Sequence, residues 1–191
     1  MISWSLPSIK RVALGFALFS MTAALPALPG QAAKLYDIQI TDPGKNQLKR
    51  IVAKAYLDAT PEQVWQTISH YERYPDFLPR VASCKLVRRT ENVAIATMKL
   101  DLPFPMNGTW YTNRYVENKA AGTIEWKMLE GSLKSTVGRW KLSPQGKGTL
   151  VQYSLQTDPG IPLIPQFMIE QGSKRTIPEI LHAVEAYAKK Q

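Results

Sequence analysis

Asp101, Tyr111, Arg114, Tyr115 and Tyr153 are the side chains of this 191-residue sequence that could serve as acid, base or charged anchor from strand-like segments. None has an orienting partner at fixed spacing. The two histidines, His70 and His182, stand 112 positions apart, and Cys84 is the single cysteine. That inventory contains no nucleophile–base pair, no zinc spacing, no phosphate-binding glycine loop and no nucleophile elbow. Asp101 and Asp158 fall near strand ends, where turn and capping roles outweigh general-base roles. Asn107-Gly108-Thr109 matches a glycosylation acceptor pattern but reads as a hairpin turn. No catalytic residue, metal ligand or cofactor is expected, and chemistry gives way to binding as the leading question.

Alternation identifies what a cavity would present. Ile124, Trp126 and Met128 oppose Glu125 and Lys127, and Thr136, Gly138, Trp140 and Leu142 oppose Val137, Arg139 and Lys141. Val151, Tyr153 and Leu155 share a face, as do Ala94, Ala96, Met98, Leu100 and Leu102. Small Ala94, Ala96 and Gly138 among large aromatics suggest room. Residues 109–117 leave two readings open: Trp110, Thr112, Arg114 and Val116 inward, with a cation needing an anionic or carbonyl partner, or Tyr111, Asn113 and Tyr115 inward, with neutral hydrogen-bonding groups. Solvent exposure of Arg114 ranks slightly ahead.

The elements that must position these faces are legible. Residues 50–57 read as a strand, and Thr60 caps a helix over residues 60–69 that starts with Pro61 and buries Val64, Trp65 and Ile68. Six strands follow near residues 82–89, 93–102, 109–117, 123–129, 136–142 and 149–157, joined by short polar turns, so an antiparallel meander is expected. Ile177, Ile180, Leu181, Val184, Tyr187 and Ala188 then recur at helical spacing. Pro178 is expected to kink that helix or to mark the start of its second half. Pro162, Pro165, Phe167 and Met168 form an apolar approach to it.

Two separated motifs carry a family resemblance. Pro61-Glu62-Gln63-Val64-Trp65 precedes Tyr71-Glu72-Arg73-Tyr74-Pro75-Asp76-Phe77-Leu78-Pro79. Farther on, Gly131, Gly138, Trp140 and Leu142 precede Gly148-Thr149-Leu150-Val151-Gln152-Tyr153. Over residues 48–188 the chain resembles the polyketide cyclase and coenzyme Q-binding branch of the START-like superfamily. The resemblance implies an α+β helix-grip fold: a curved seven-stranded antiparallel sheet wrapped around a long C-terminal helix, with a short helix pair after the first strand and a cavity between sheet and helix. Met98, Trp126, Met128, Trp140, Tyr153, Met168, Leu181 and Val184 are the expected ligand-binding residues. The expected partner is a hydrophobic small molecule, either a lipid or an isoprenoid quinone-like compound. Two alternatives stand beside this reading: a cyclase or aromatase-like enzyme using Tyr111, Tyr115, Tyr153, Arg114 or Asp101, and an interaction module with a filled core.

Residues 1–32 read as a cleaved signal peptide, because Lys10-Arg11 precedes an apolar run too short to span a bilayer and Gly30-Gln31-Ala32 offers a small-residue cleavage site. Residues 33–47 form a polar lead, and 48–191 one domain. Lys10 and Arg11 are the only charged residues in the first 32, so of 24 basic and 15 acidic residues 22 and 15 remain, a net charge of +7. An exported protein, periplasmic or secreted, is expected, with no disulfide within the chain and Cys84 as a small buried hydrophobe. The positive charge would favour transient contact with an anionic membrane surface. It is too scattered for a nucleic-acid stripe.

Overall fold

The computed structural model describes residues 37–41, 50–160 and 166–191, with side chains at 37–40, 50–160 and 171–191. The expectations for residues 1–36 and 42–47 and for Pro162 and Pro165 lie outside these, as do those for the side chains of Phe167 and Met168. Strands β1 (Asp37–Thr41) and β2 (Arg50–Leu57) lead into α1 (Pro61–Ser69), a 3-10 turn (Tyr71–Arg73) and α2 (Tyr74–Phe77). The meander follows as β3 (Val81–Arg89), β4 (Val93–Leu100), β5 (Trp110–Asn118), β6 (Thr123–Gly131), β7 (Ser135–Gln145) and β8 (Gly148–Asp158). Helix α3 (Gln166–Ala188) ends the chain.

The sheet has eight strands in the order β1-β2-β8-β7-β6-β5-β4-β3, and every neighbouring pair is antiparallel. One more strand is present than the sequence suggested. β1 lies in the stretch read as polar lead, where it pairs with β2 from Asp37↔Lys54 to Thr41↔Arg50. Its Ile38 and Ile40 pack on the core while Gln39 is exposed, a half-buried edge strand too short for its alternation to stand out. β8 then pairs with β2, setting Ala53 against Tyr153 and bringing the two ends of the domain together.

Local sequence explains the helices. Thr60 Oγ1 accepts from the Gln63 N–H at 3.3 Å and Gln63 Oε1 accepts from the Thr60 N–H at 2.9 Å, a reciprocal capping box ahead of Pro61. Val64, Trp65 and Ile68 are buried as expected. α3 begins eleven residues before Ile177 and runs through Pro178, so the proline neither starts the helix nor ends it. Phe167 and Met168, read as part of an apolar approach, stand in the helix's first turn.

Curvature follows from a distance argument. β8 and β3 are separated by five inter-strand steps, about 24 Å in a flat sheet at roughly 4.8 Å per step. Yet Leu155 of β8 and Val81 of β3 line one space together with Ile180 and Val184 of α3. The sheet must therefore close round the helix, which is the helix-grip arrangement.

Candidate functional site

Two stripes of α3 divide its apolar face. Thr176, Ile180 and Val184 recur every four residues and line a cavity of about 260 Å³. Ile177, Leu181, Glu185 and Ala188, about 100° further round the helix, are buried on the adjoining stripe. Leu181, at 0% exposure, lies within the core and is absent from the cavity wall, contrary to expectation. Sequence spacing defines a broad apolar face; which half of it meets the empty space depends on the roll of the helix.

Of the other expected residues, Met98, Trp126, Trp140, Tyr153 and Val184 line the cavity. Met128 does not. It is half-buried opposite Asn113, beside a register slip between Thr112 and Asn113 that leaves Leu129 without a partner and 55% exposed. The bulge follows Met128, whose pairing with the inward Asn113 keeps it on the face that alternation assigned, but it is not among the residues that line the cavity. The side chain of Met168 lies outside the described residues.

The small residues do not make the room. Ala94 and Ala96 are buried away from the cavity wall, and the space above Gly138 is taken by the Trp126 indole, into which an added Cβ would fall. Only glycine leaves the ring its place against the β7 backbone. The cavity forms instead between the aromatic floor and the turn around α2, whose Tyr74, Phe77 and Leu78 face inward. Those three belong to the motif noted in the sequence, but its spacing alone did not show that they point at a ligand space.

β5 settles the open choice of faces. Tyr111, Asn113 and Tyr115 line the cavity, and Arg114 is exposed on the opposite face. Tyr115 lies between Tyr71, stacked at 4.0 Å, and Trp126, at 6.4 Å; Trp126 continues to Tyr153 at 5.7 Å and Tyr153 to Trp140 at 4.4 Å. These rings make a continuous floor. Burial raises the Tyr111, Tyr115 and Tyr153 phenols above the ordinary range, so all three stay neutral donors at physiological pH.

Two hydrogen bonds join polar groups of this floor. Tyr111 Oη donates to Met98 Sδ at 3.3 Å, and Asn113 Nδ2 donates to Tyr115 Oη at 3.3 Å. Asn113 Oδ1 has no partner, and it is the one buried side-chain nitrogen or oxygen so left among the described residues. An orphan of this kind costs about 1–3 kcal/mol. The sequence offered Asn113 only as one of two possible inward sets.

Depth runs from the buried floor to an open end. Asn113, Met98 and Val184 are 5% exposed or less, whereas Leu102, Met106, Leu133 and Thr176 are half-exposed at the mouth. Arg80, also on the lining, takes φ 63°, a conformation uncommon for a non-glycine residue. Its guanidinium sits 3.8 Å from Glu179 of α3, and it is the only charged side chain among the described lining residues. Asp101 is exposed outside the cavity. No carboxylate or imidazole is present on the described wall, so it can orient a ligand by hydrogen bonds and apolar contact but offers no carboxylate or imidazole base.

Cys84, expected to be buried, is half-buried, and burial pushes its thiol up to about 12. Among the described residues no cluster of histidine, cysteine and carboxylate could hold a metal ion, and no helix is long and apolar enough to cross a membrane.

Comparison with known proteins agrees with this geometry. Residues 57–185 match the model of the polyketide cyclase/dehydrase and lipid transport family. No curated protein matches the chain. The Zhui aromatase/cyclase from Streptomyces sp. R1128 is similar with a TM-score of 0.67 and 16% identity, over 75% of this chain and 95% of that one. The STAR-related lipid transfer protein from Xanthomonas axonopodis gives 0.64 and 16%, over 81% and 98%. A START superfamily protein from Mycobacterium smegmatis gives 0.64 and 17%, over 74% and 97%. At these identities the likeness is one of fold.

Proposed function

Since the chain belongs to the polyketide cyclase/dehydrase and lipid transport family, we propose that it is an exported binding protein holding a hydrophobic small molecule, of lipid or isoprenoid-quinone type, between the sheet and α3. The observation that carries this reading is the cavity itself. It is walled by Met98, Leu100, Trp126, Trp140, Leu155 and Val184, closed at the floor by neutral hydrogen-bonding groups, and open at one end. Each Å² of apolar ligand surface removed from water contributes about 25 cal/mol, enough for a hydrocarbon tail to bind without a charged anchor. An acid–base cyclase reading is less well supported: Arg114 and Asp101 are exposed, and the three phenols hold their protons too tightly to act as bases.

Export rests on the Lys10-Arg11 start, the apolar run after it and the Gly30-Gln31-Ala32 site. Intact-mass analysis of the exported protein should find a start near Ala33, and recovery of full-length chain from a membrane fraction would sink that part. The surplus of basic residues supports brief contact with anionic membrane surfaces during loading. Mass spectrometry of organic extracts from protein purified out of its native compartment tests the main reading. A stoichiometric apolar molecule is expected. Protein that carries none, and whose tryptophan fluorescence does not respond to quinone or fatty-acid analogues, would overturn it.

A further inference from the structure

We propose that the cavity selects, among hydrophobic molecules, a neutral ligand ending in a hydroxyl, an alcohol or a phenol, whose O–H donates to Asn113 Oδ1. The inference rests on the reading of the cavity as a ligand site and specifies what that ligand must offer.

Asn113 is 2% exposed and its side chain lines the floor of the cavity. Its amide is half used: Nδ2 donates to Tyr115 Oη, and Oδ1 is buried without a partner for either lone pair. Buried amide oxygens are ordinarily satisfied, and an orphan on the wall of an empty space calls for a donor from the occupant. Tyr115 narrows the choice. Its oxygen accepts from Asn113, so its own proton, held firmly by burial, is available to an acceptor. A ligand hydroxyl is both donor and acceptor and can answer Asn113 and Tyr115 together.

Competing end groups do so less well. A carboxylate is acceptor-only, would set its charge against the Asn113 oxygen, and finds no cation on the floor. Arg80, the one cation on the described lining, belongs to the mouth and lies beside Glu179. A ketone or quinone carbonyl can take the Tyr115 proton but leaves Asn113 Oδ1 unpaired. Within the quinone-like class the site therefore favours the reduced, hydroxyl-bearing form.

The test uses probes sharing one twelve-carbon chain: 1-dodecanol, its methyl ether, 2-dodecanone and dodecanoate, titrated into the wild-type protein with tryptophan fluorescence as readout. The alcohol should bind at least about ten-fold tighter than the ether and the ketone, since a site built to pair a hydroxyl discriminates strongly against analogues lacking it. Asn113→Leu should remove that preference while leaving the melting temperature unchanged or higher, because an orphan acceptor is lost with it. Equal binding of alcohol and ether, or preference for the ketone or the carboxylate, overturns the hydroxyl proposal while leaving the apolar-cavity reading intact. Failure of all four probes to bind overturns both. The wild-type series decides the matter even if N113L does not fold, and a folded N113L that still prefers the alcohol would refute the role of Asn113.

Discussion

Tyr71 Oη donates a 2.7 Å hydrogen bond to Glu117 Oε1 across 46 positions of sequence, tying the turn between α1 and α2 to the far end of β5. The other carboxylate oxygen of Glu117 takes a bond from Arg89 at 3.1 Å. Arg89 also donates to the Ser69 carbonyl and lies 5.4 Å over the Tyr71 ring. Three elements, the α1 end, β3 and β5, thereby meet at one carboxylate that is 9% exposed. Holding that corner keeps Tyr74, Phe77 and Leu78 over the cavity.

Tyr71→Phe should therefore lower stability by about 1–3 kcal/mol, because it leaves a buried carboxylate oxygen short of a donor while barely changing volume. Urea denaturation at neutral pH measures this. A loss below about 0.5 kcal/mol would show that water or another group replaces the phenol.

The two stripes of α3 separate stability from binding. Leu181→Ala should cost about 2–5 kcal/mol as a core truncation and leave ligand affinity per folded molecule nearly unchanged. Ile180→Trp should do the reverse, filling the cavity and abolishing binding with less than about 1 kcal/mol of destabilisation, below the roughly 1–3 kcal/mol of overpacking expected in a filled core. Paired denaturation and fluorescence titrations of both variants decide it, and exchanged effects would mean that the helix is rolled the other way.

Gly138→Ala puts a methyl where the Trp126 indole lies. A loss of roughly 1–3 kcal/mol is expected, together with an altered Trp126 environment in the fluorescence spectrum and weakened binding as the ring moves into the cavity. Wild-type stability in this variant would contradict the close ring-on-backbone contact.

Tyr71, Tyr74, Tyr111, Tyr115 and Tyr153 all hold their protons more tightly folded than free, chiefly because burial disfavours the phenolate. Once pH passes about 10, the ordinary tyrosine value, the folded state binds more protons than the unfolded one, and stability present below that pH is progressively lost. Phenolate absorbance of the buried tyrosines should therefore rise in one step together with unfolding. Gradual titration well before the loss of structure would show that these rings are accessible to water.

Hydrophobic period and turn chemistry carried much of the architecture. The Thr60 cap, the Trp65 face, the meander and the inward set Trp126, Trp140 and Tyr153 each depend on neighbours within a few residues, so one strand or helix turn suffices to reveal them. β1 escaped because five residues at a polar edge show too little alternation. Met128 takes the face that alternation assigned, opposite inward Asn113, but does not line the cavity, because the extent of an empty space along a strand is not encoded in its period.

The N-terminal and C-terminal helix signals, the strand alternation and the family motifs were thus determined by the sequence itself, since each follows from local backbone periods and steric preferences. Which stripe of α3 meets empty space, whether Tyr111, Asn113 and Tyr115 or their neighbours turn inward, and that Gly138 accommodates a ring were decided only in three dimensions. Both stripes and both faces are apolar enough to be buried. The choice between them is set by how α3 rolls against α1 and β2, and by how the sheet bends to bring β3 and β8 to the same cavity. Sheet closure and helix roll are long-range properties, fixed by packing among residues up to 131 positions apart, and no local spacing encodes them.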